Sequence, residues 1–148
     1  MRKFTVTAAL LGLTALGVVV PAATSQAAES VVAGPGCDSK WGPRDGKVYA
    51  WDLPHCQGTP LPVPGSGTWG PDANDRASSV MNRGYAGAFG VAQFFEHANQ
   101  VDGHACLLPG ELYVDDLAYS RFSSGAPADN NISSHRWANS GSCAVILT

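Results

Sequence analysis

The sequence predicts an all-β protein built from two similar antiparallel units. Its 148 residues include 17 glycines and 10 prolines, which interrupt the chain so often that no apolar pattern of helical period is sustained. A hexapeptide also occurs twice, as NDRASS at 74–79 and DNNISS at 129–134. Such a repeat indicates two copies of one supersecondary unit. Short strands and many turns, arranged twice over, favour a sandwich of two Greek keys packed face to face.

The segments that flank the two hexapeptides also correspond. Each hexapeptide is preceded by an aromatic segment that closes on a glycine, at 48–58 and at 91–103. A short apolar run containing proline and glycine follows, at 60–65 and at 107–110. The order of aromatic strand, glycine, apolar strand, loop and hexapeptide therefore occurs twice. The predicted repeats cover about 37–85 and 86–148.

Local patterns place the strands. In the first strand, alternation puts Tyr49 and Trp51 on one face and Val48 and Ala50 on the other. Strands are expected at 47–52, 59–63, 78–81, 91–96, 105–108, 133–137 and 144–147. The second of these contains two prolines, which restrict it to an edge or an irregular course. A turn is expected at 82–84, a short helical turn within 111–119 and a small-residue loop at 121–128.

The first 27 residues are predicted to be a secretory signal peptide. Two basic residues precede an apolar run at 8–20, and small residues at 25–27 offer a cleavage site. The apolar run is too short for a helix that spans a membrane. Residues 28–36 are expected to be a flexible leading segment, and 37–148 a single domain. The protein is therefore expected to be secreted into the extracellular space.

The charge of the exported part restricts the kind of partner it binds. Twelve acidic and seven basic residues follow position 27, which gives a net charge of −5. Nucleic acids and anionic membranes repel an acidic surface, so neither is an expected partner. We expect a monomer whose partner is another extracellular protein.

Four cysteines in an exported chain predict two disulfides, for which three pairings exist. Pairing Cys37 with Cys56 and Cys106 with Cys143 is favoured, because each bond would close one repeat on itself. Each closed loop would contribute roughly 3–4 kcal/mol by restricting the unfolded chain.

The hexapeptides and the spacing from Trp51 to Gly58 resemble the βγ-crystallin double Greek key. The corresponding spacing in repeat two, from Phe95 to Gly103, is one residue longer. With its signal peptide, disulfides and acidic domain, the chain resembles the Streptomyces metalloproteinase inhibitors, peptidase inhibitor family thirty-six, over about 37–143. The resemblance implies a secreted inhibitor that blocks the active-site cleft of an extracellular metalloproteinase with a rigid loop. The same fold also hosts calcium-stabilised structural or interaction modules and killer-toxin-like antimicrobial domains.

The resemblance further implies weak calcium binding. In crystallin-like sites each hexapeptide supplies a side chain at its second position, a carbonyl at its third and a hydroxyl at its fifth. The two stretches contribute to each other's sites, with a further carbonyl near Asp52 or Glu96. Carboxylates are scarce here, so an affinity of about 0.1–1 mM is expected. Alternatively, these side chains only restrain the local backbone. The candidate ligand residues are Asn74, Asp75, Arg76, Ser78, Asp129, Asn130, Asn131 and Ser133.

Two segments are candidates for the inhibitory loop. Cys106-Leu107-Leu108 comes first, because thermolysin-like enzymes prefer a large apolar residue after the cleaved bond and a disulfide would tether it. The alternative for this segment is a core strand. The second candidate is YSRF at 119–122, in the longest loop region.

No enzymatic activity and no other cofactor are expected. The four histidines are scattered and form no HExxH motif, and no serine lies in a GxSxG motif. The glycine-rich stretch 65–70 formally matches GxGxxG but lacks the strand and helix that a phosphate site needs.

Overall fold

The computed structural model describes residues 36–148, so the predicted signal peptide and nearly all of the leading segment lie outside the described residues. The described chain contains seven strands and five short 3-10 helices. The strands are β1 Lys47–Trp51, β2 Gly67–Thr68, β3 Ser79–Arg83, β4 Val91–Phe95, β5 His104–Leu107, β6 Tyr113–Val114 and β7 Ser134–Ala138. The 3-10 helices are Cys37–Lys40, Pro54–Cys56, Ala98–Gln100, Leu117–Tyr119 and Ser140–Ser142. Between residues 36 and 148, no helix has the length and apolar character needed to cross a membrane.

The strands form two antiparallel sheets. Sheet one has the order β1-β3-β6, and sheet two has the order β2-β7-β4-β5. Strand β2 comes from repeat one yet pairs with β7 of repeat two, while β6 of repeat two pairs with β3 of repeat one. Each repeat thus gives one strand to the sheet of the other. The predicted all-β sandwich of two Greek keys is confirmed by this strand order.

The main core fills the space between the sheets, and β1 shows how the sequence pattern produces it. Val48 and Ala50 point into the main core. Trp51 points to the other face, where it packs against the first disulfide and Met81, with Tyr49 at the edge of this cluster. The predicted two-faced strand is therefore confirmed. The largest fully buried side chains of the main core are Phe94, Leu107, Leu117, Ile132 and Val80.

In repeat one, segment 59–63 takes the irregular course that its prolines predict, whereas the turn predicted at 82–84 is wrong in detail. The segment 59–63 is not a regular strand, because its two prolines have no backbone N–H; its link to β1 is a 2.8 Å hydrogen bond from Leu61 N to Ala50 O. The predicted turn at 82–84 begins inside β3 instead. Asn82 is fully buried there, which is tolerated because its side-chain amide donates to the carbonyls of Gly90 and Leu107, both over 2.9 Å.

Two predictions about repeat two also need correction. The stretch 111–119 contains strand β6 before its 3-10 turn, because Val114 pairs with Val80 of sheet one. The C-terminal run 144–147 is not a strand and makes one parallel bridge, between Ile146 and Cys106. The backbone pairing of both segments involves residues remote in sequence, which local alternation does not reveal.

The two disulfides join Cys37 to Cys56 and Cys106 to Cys143, as predicted. The first links two 3-10 helices beside sheet one. The second ties the C-terminal residues to β5 of sheet two.

Candidate calcium site at the paired hexapeptides

The two hexapeptides lie against each other in reciprocal fashion. Asp75 N donates to Ile132 O over 3.0 Å, and Asn130 N donates to Ala77 O over 2.9 Å. Each stretch therefore binds the backbone of the other at the equivalent position. The second residue of each hexapeptide is left-handed, with φ of 56° at Asp75 and 52° at Asn130. Asn and Asp tolerate this conformation better than most residues, which explains their use at that position.

The first serine of each hexapeptide attaches it to the opening strand of its own repeat. Ser78 N donates to Trp51 O over 2.8 Å, and Ser133 N donates to Phe95 O over 3.0 Å. Both serines are buried. The fifth position of each hexapeptide is thus held at the end of an aromatic strand, next to the hairpin that follows.

The second serine folds that hairpin. Ser79 Oγ donates to Leu53 O over 2.7 Å and accepts from Cys56 N over 3.1 Å. Ser134 Oγ donates to His97 O over 2.6 Å and accepts from Gln100 N over 3.0 Å. The recurrence of this second serine in both repeats is the sequence signal for its role.

The hairpins themselves match residue by residue. Gly58 has a φ of 78° seven residues after Trp51, and Asp102 has a φ of 65° seven residues after Phe95. Asp102 therefore holds the position that the sequence comparison gave to Gly103, and the spacing is the same in both repeats. Gly103 has a different constraint, because a Cβ there would collide with neighbouring side chains.

Oxygen atoms from both hexapeptides meet at one end of this arrangement. Ser133 Oγ donates to Asp75 Oδ1 over 2.8 Å, so the hydroxyl of repeat two contacts the carboxylate of repeat one. A second carboxylate lies beside Asn130: Asp129 Oδ2 accepts from Asn130 Nδ2 over 3.0 Å, and Asp129 Oδ1 is buried with no partner in the described chain. Carboxylate and hydroxyl oxygens are the ligands that calcium prefers, and the unpartnered oxygen is a negative group that a cation would satisfy. The residues present therefore fit the ion.

The equivalent pair at the other end, Ser78 and Asn130, makes no such side-chain hydrogen bond in residues 36–148. Asn130 is neutral, so the second position of the hexapeptide carries no carboxylate at this end, where the carboxylate beside Asn130 is that of Asp129. The two halves of the pseudosymmetric arrangement are therefore chemically unequal.

Arg76 increases this inequality. Its guanidinium lies 3.0 Å from Asp52 Oδ2 and donates to Asp72 O over 2.9 Å. The corresponding residue of repeat two, Asn131, donates to Pro127 O over 3.1 Å without adding charge. The arginine places a positive charge beside the hairpin that would supply a ligand to the Ser78 end, and this opposes cation binding there.

Among the described residues, no group of three or more His, Cys, Asp or Glu side chains is placed to hold a metal ion. A calcium ion at the hexapeptides would therefore depend on hydroxyl and carbonyl oxygens for most of its ligands. Such sites are weak, in agreement with the affinity expected for extracellular modules.

The structure also places the two candidate inhibitory segments. Cys106 and Leu107 are 0% exposed within β5, and Leu108 is half-buried. As folded, this segment is a core strand and does not offer Leu107 to a protease cleft. In the second candidate, 119–122, Tyr119 is 92% exposed.

The fold is βγ-crystallin-like. This follows from the exchanged strands and the paired hexapeptides of the chain itself. No protein-family model and no curated protein matches the sequence. A solved structure of a βγ-crystallin from an archaeon is similar, with 24% sequence identity and a TM-score of 0.43, over 62% of this chain and 95% of that one.

Proposed function

We propose that this protein is a secreted, calcium-stabilised βγ-crystallin-like module that acts by binding rather than by catalysis. The observation that carries the proposal is the 2.8 Å contact between Ser133 and Asp75, which brings a hydroxyl and a carboxylate from different repeats together. Asp129, beside Asn130, adds a buried carboxylate oxygen that has no partner in the described chain.

Calcium would be held chiefly at the Asp75 end. Asp75 and Ser133 would supply side-chain oxygens, and the resemblance to crystallin sites adds the carbonyl of Asn131 and one near Glu96. Because these groups come from both repeats, an ion bound to them would join the repeats. At about ten times its dissociation constant, an ion that binds only the folded state adds about 1.4 kcal/mol to the free energy of unfolding.

The test is thermal unfolding of the protein with and without about 10 mM calcium, with magnesium as the control ion. We expect calcium to raise Tm by a few degrees, since about 1 kcal/mol corresponds to roughly 4–8 °C in a domain of this size. Magnesium requires tighter octahedral geometry and should have less effect. An unchanged Tm in calcium would remove the proposal.

A second function, inhibition of an extracellular metalloproteinase, is favoured by the loop that carries Tyr119. The flanking residues Leu117 and Phe122 are 0% and 2% exposed, whereas Tyr119 is 92% exposed. The loop backbone is held by hydrogen bonds from Ser120 N to Leu117 O and from Phe122 N to Ala126 O, both over 2.9 Å. A restrained loop with one projecting aromatic side chain loses little entropy on binding.

Titration against a thermolysin-like metalloproteinase, with a serine protease as control enzyme, tests this function. Tyr119→Ala should weaken inhibition at least about tenfold if the ring is a binding hot spot, with Tm unchanged. Leu108→Ala is the matched control, since Leu108 belongs to the rejected segment. Absence of inhibition by the wild-type protein at micromolar excess would eliminate the inhibitor function, and growth inhibition of fungi or bacteria would instead favour the antimicrobial alternative.

A further inference from the structure

The residues 139–148, termed here the latch segment, cover the outer edge of sheet two. Strand β5 ends that sheet, and its free edge is bound by the latch segment: Cys106 N donates to Val145 O over 2.9 Å, and Leu147 N donates to Cys106 O over 2.8 Å. An uncovered edge strand presents unpaired backbone groups to other chains, so this cover has a protective role.

Few other contacts hold the latch segment. Leu147 is the buried side chain of the latch segment and joins the main core, and the partly buried Val145 also packs against this core. Gln93 Nε2 donates to Ser142 O over 2.9 Å, and Ala144 N donates to His104 Nε2 over 3.2 Å. Most of the remaining residues of the segment are exposed. One buried leucine and a few hydrogen bonds do not offset the entropy lost on ordering the whole segment, so the disulfide from Cys143 is the decisive anchor.

The two disulfides differ in their access to solvent. Cys37 and Cys56 are both fully buried and packed with Trp51 and Met81. In the second disulfide only Cys106 is fully buried, while Cys143 is partly exposed. Thiol–disulfide exchange requires a thiolate to reach one sulfur directly, so the Cys143 end of this disulfide is the more accessible one.

We propose that Cys106–Cys143 is a reducible latch: an external dithiol opens it while Cys37–Cys56 stays closed, and the latch segment then leaves the edge of β5. One thiolate of the dithiol attacks Cys143 Sγ, the Sγ–Sγ bond breaks, and Cys106 departs as a thiolate that takes up a proton. The second thiol of the reagent then attacks its own mixed-disulfide sulfur and releases the Cys143 thiolate, which is also protonated. Two electrons and two protons pass to the protein, and the dithiol becomes a cyclic disulfide.

Selectivity is tested by treating the folded protein with dithiothreitol, trapping free thiols with iodoacetamide at intervals and locating the alkylated cysteines by peptide mass spectrometry. Cys106 and Cys143 should be alkylated at least about tenfold faster than Cys37 and Cys56, since access to sulfur controls the rate. Equal rates, or earlier alkylation of Cys37 and Cys56, would overturn the proposal.

Release is tested by hydrogen exchange on the selectively reduced protein. The amides of Cys106 and Leu147 should lose their protection, while those of β3 keep theirs. Cys143→Ser should show the same loss without reductant, and Ser140→Ala, which alters an exposed residue of the same segment, should not. If reduction leaves the Leu147 amide protected, the disulfide does not act as a latch and the proposal fails.

Discussion

Trp69 and His135 are joined inside the core by a 2.8 Å hydrogen bond, in which the indole Nε1 donates to the imidazole Nδ1. Both side chains are buried, and Phe94 and Trp137 also pack against the imidazole. An imidazole that accepts at Nδ1 is neutral. Burial accordingly lowers the pKa of His135 from 6.5 to about 4.

This histidine should make the protein unstable in acid. The unfolded chain binds a proton near pH 6.5, whereas the folded pKa of His135 is about 4. Its contribution is therefore complete above about pH 6.5 and is lost as the pH falls toward 4, by about 3 kcal/mol in all. Urea unfolding at several pH values between 7.5 and 4 measures this loss.

The matched variants separate His135 from other titrating groups. His135→Phe should flatten the pH dependence, although it also leaves Trp69 Nε1 without an acceptor and costs about 1–3 kcal/mol at neutral pH. His97→Gln, at an exposed histidine, should keep the wild-type profile. An identical pH profile for wild type and His135→Phe would contradict this account.

Because the two ends of the hexapeptide pair are unequal, one substitution should abolish the effect of calcium on Tm and another should increase it. Asp75→Asn keeps a residue suited to left-handed backbone but removes the carboxylate, so calcium should no longer raise Tm. Asn130→Asp combined with Arg76→Ala supplies a carboxylate and removes the opposing guanidinium at the other end, so the response to calcium should increase. The Arg76–Asp52 pair is exposed, and its loss alone should cost under about 1 kcal/mol.

Calorimetric titration of these variants gives the measurement, with magnesium as the reference ion. Equal calcium affinities for wild type and Asp75→Asn would show that the Asp75 end is not the principal site.

The second serine of each hexapeptide should contribute to stability independently of calcium. Ser79→Ala and Ser134→Ala each leave a backbone N–H and a carbonyl of the folded hairpin without their partner. A loss of about 1–3 kcal/mol in the free energy of unfolding is expected for each. Ser140→Ala at an exposed position should change it by less than about 0.5 kcal/mol. Chemical denaturation in the presence of a chelator measures the free energy of unfolding without calcium. A loss that appears only when calcium is present would mean that the serines act through the ion.

The left-handed positions of the two hairpins predict opposite responses to substitution. Gly58→Ala should cost about 1 kcal/mol, because a Cβ is disfavoured at its φ of 78°. Asp102→Gly should be neutral or stabilising by a few tenths of a kcal/mol, since glycine accepts a φ of 65° more readily. Thermal unfolding of both variants tests the residue-by-residue match of the hairpins, and a marked loss in Asp102→Gly would oppose it.

Local pattern and repetition were sufficient for the general fold. Alternation around Tyr49 and Trp51 predicted both faces of β1, and the repeat predicted both disulfide pairings. Prediction failed at Asn82, a polar residue whose side-chain donors are satisfied by two carbonyls distant in sequence. Nothing local to residue 82 indicates that these carbonyls are available.

The candidate site, like the fold, was predictable only in part. The hexapeptides were identified by their recurrence. Their resemblance to crystallin sites implied that they contribute to each other's sites. The ion pair between Arg76 and Asp52 was not predictable, because the partners are 24 residues apart and lie in different loops. The burial of Leu107 likewise depends on how sheet two packs.

The amino-acid sequence by itself determined that the chain is β-rich, duplicated and cross-linked, since these properties follow from turn residues, recurrence and cysteine count. Only the tertiary structure decided which end of the hexapeptide pair carries the carboxylate–hydroxyl contact, and which disulfide can be reached by solvent. Those properties depend on distance and burial, which arise when segments remote in sequence are packed together.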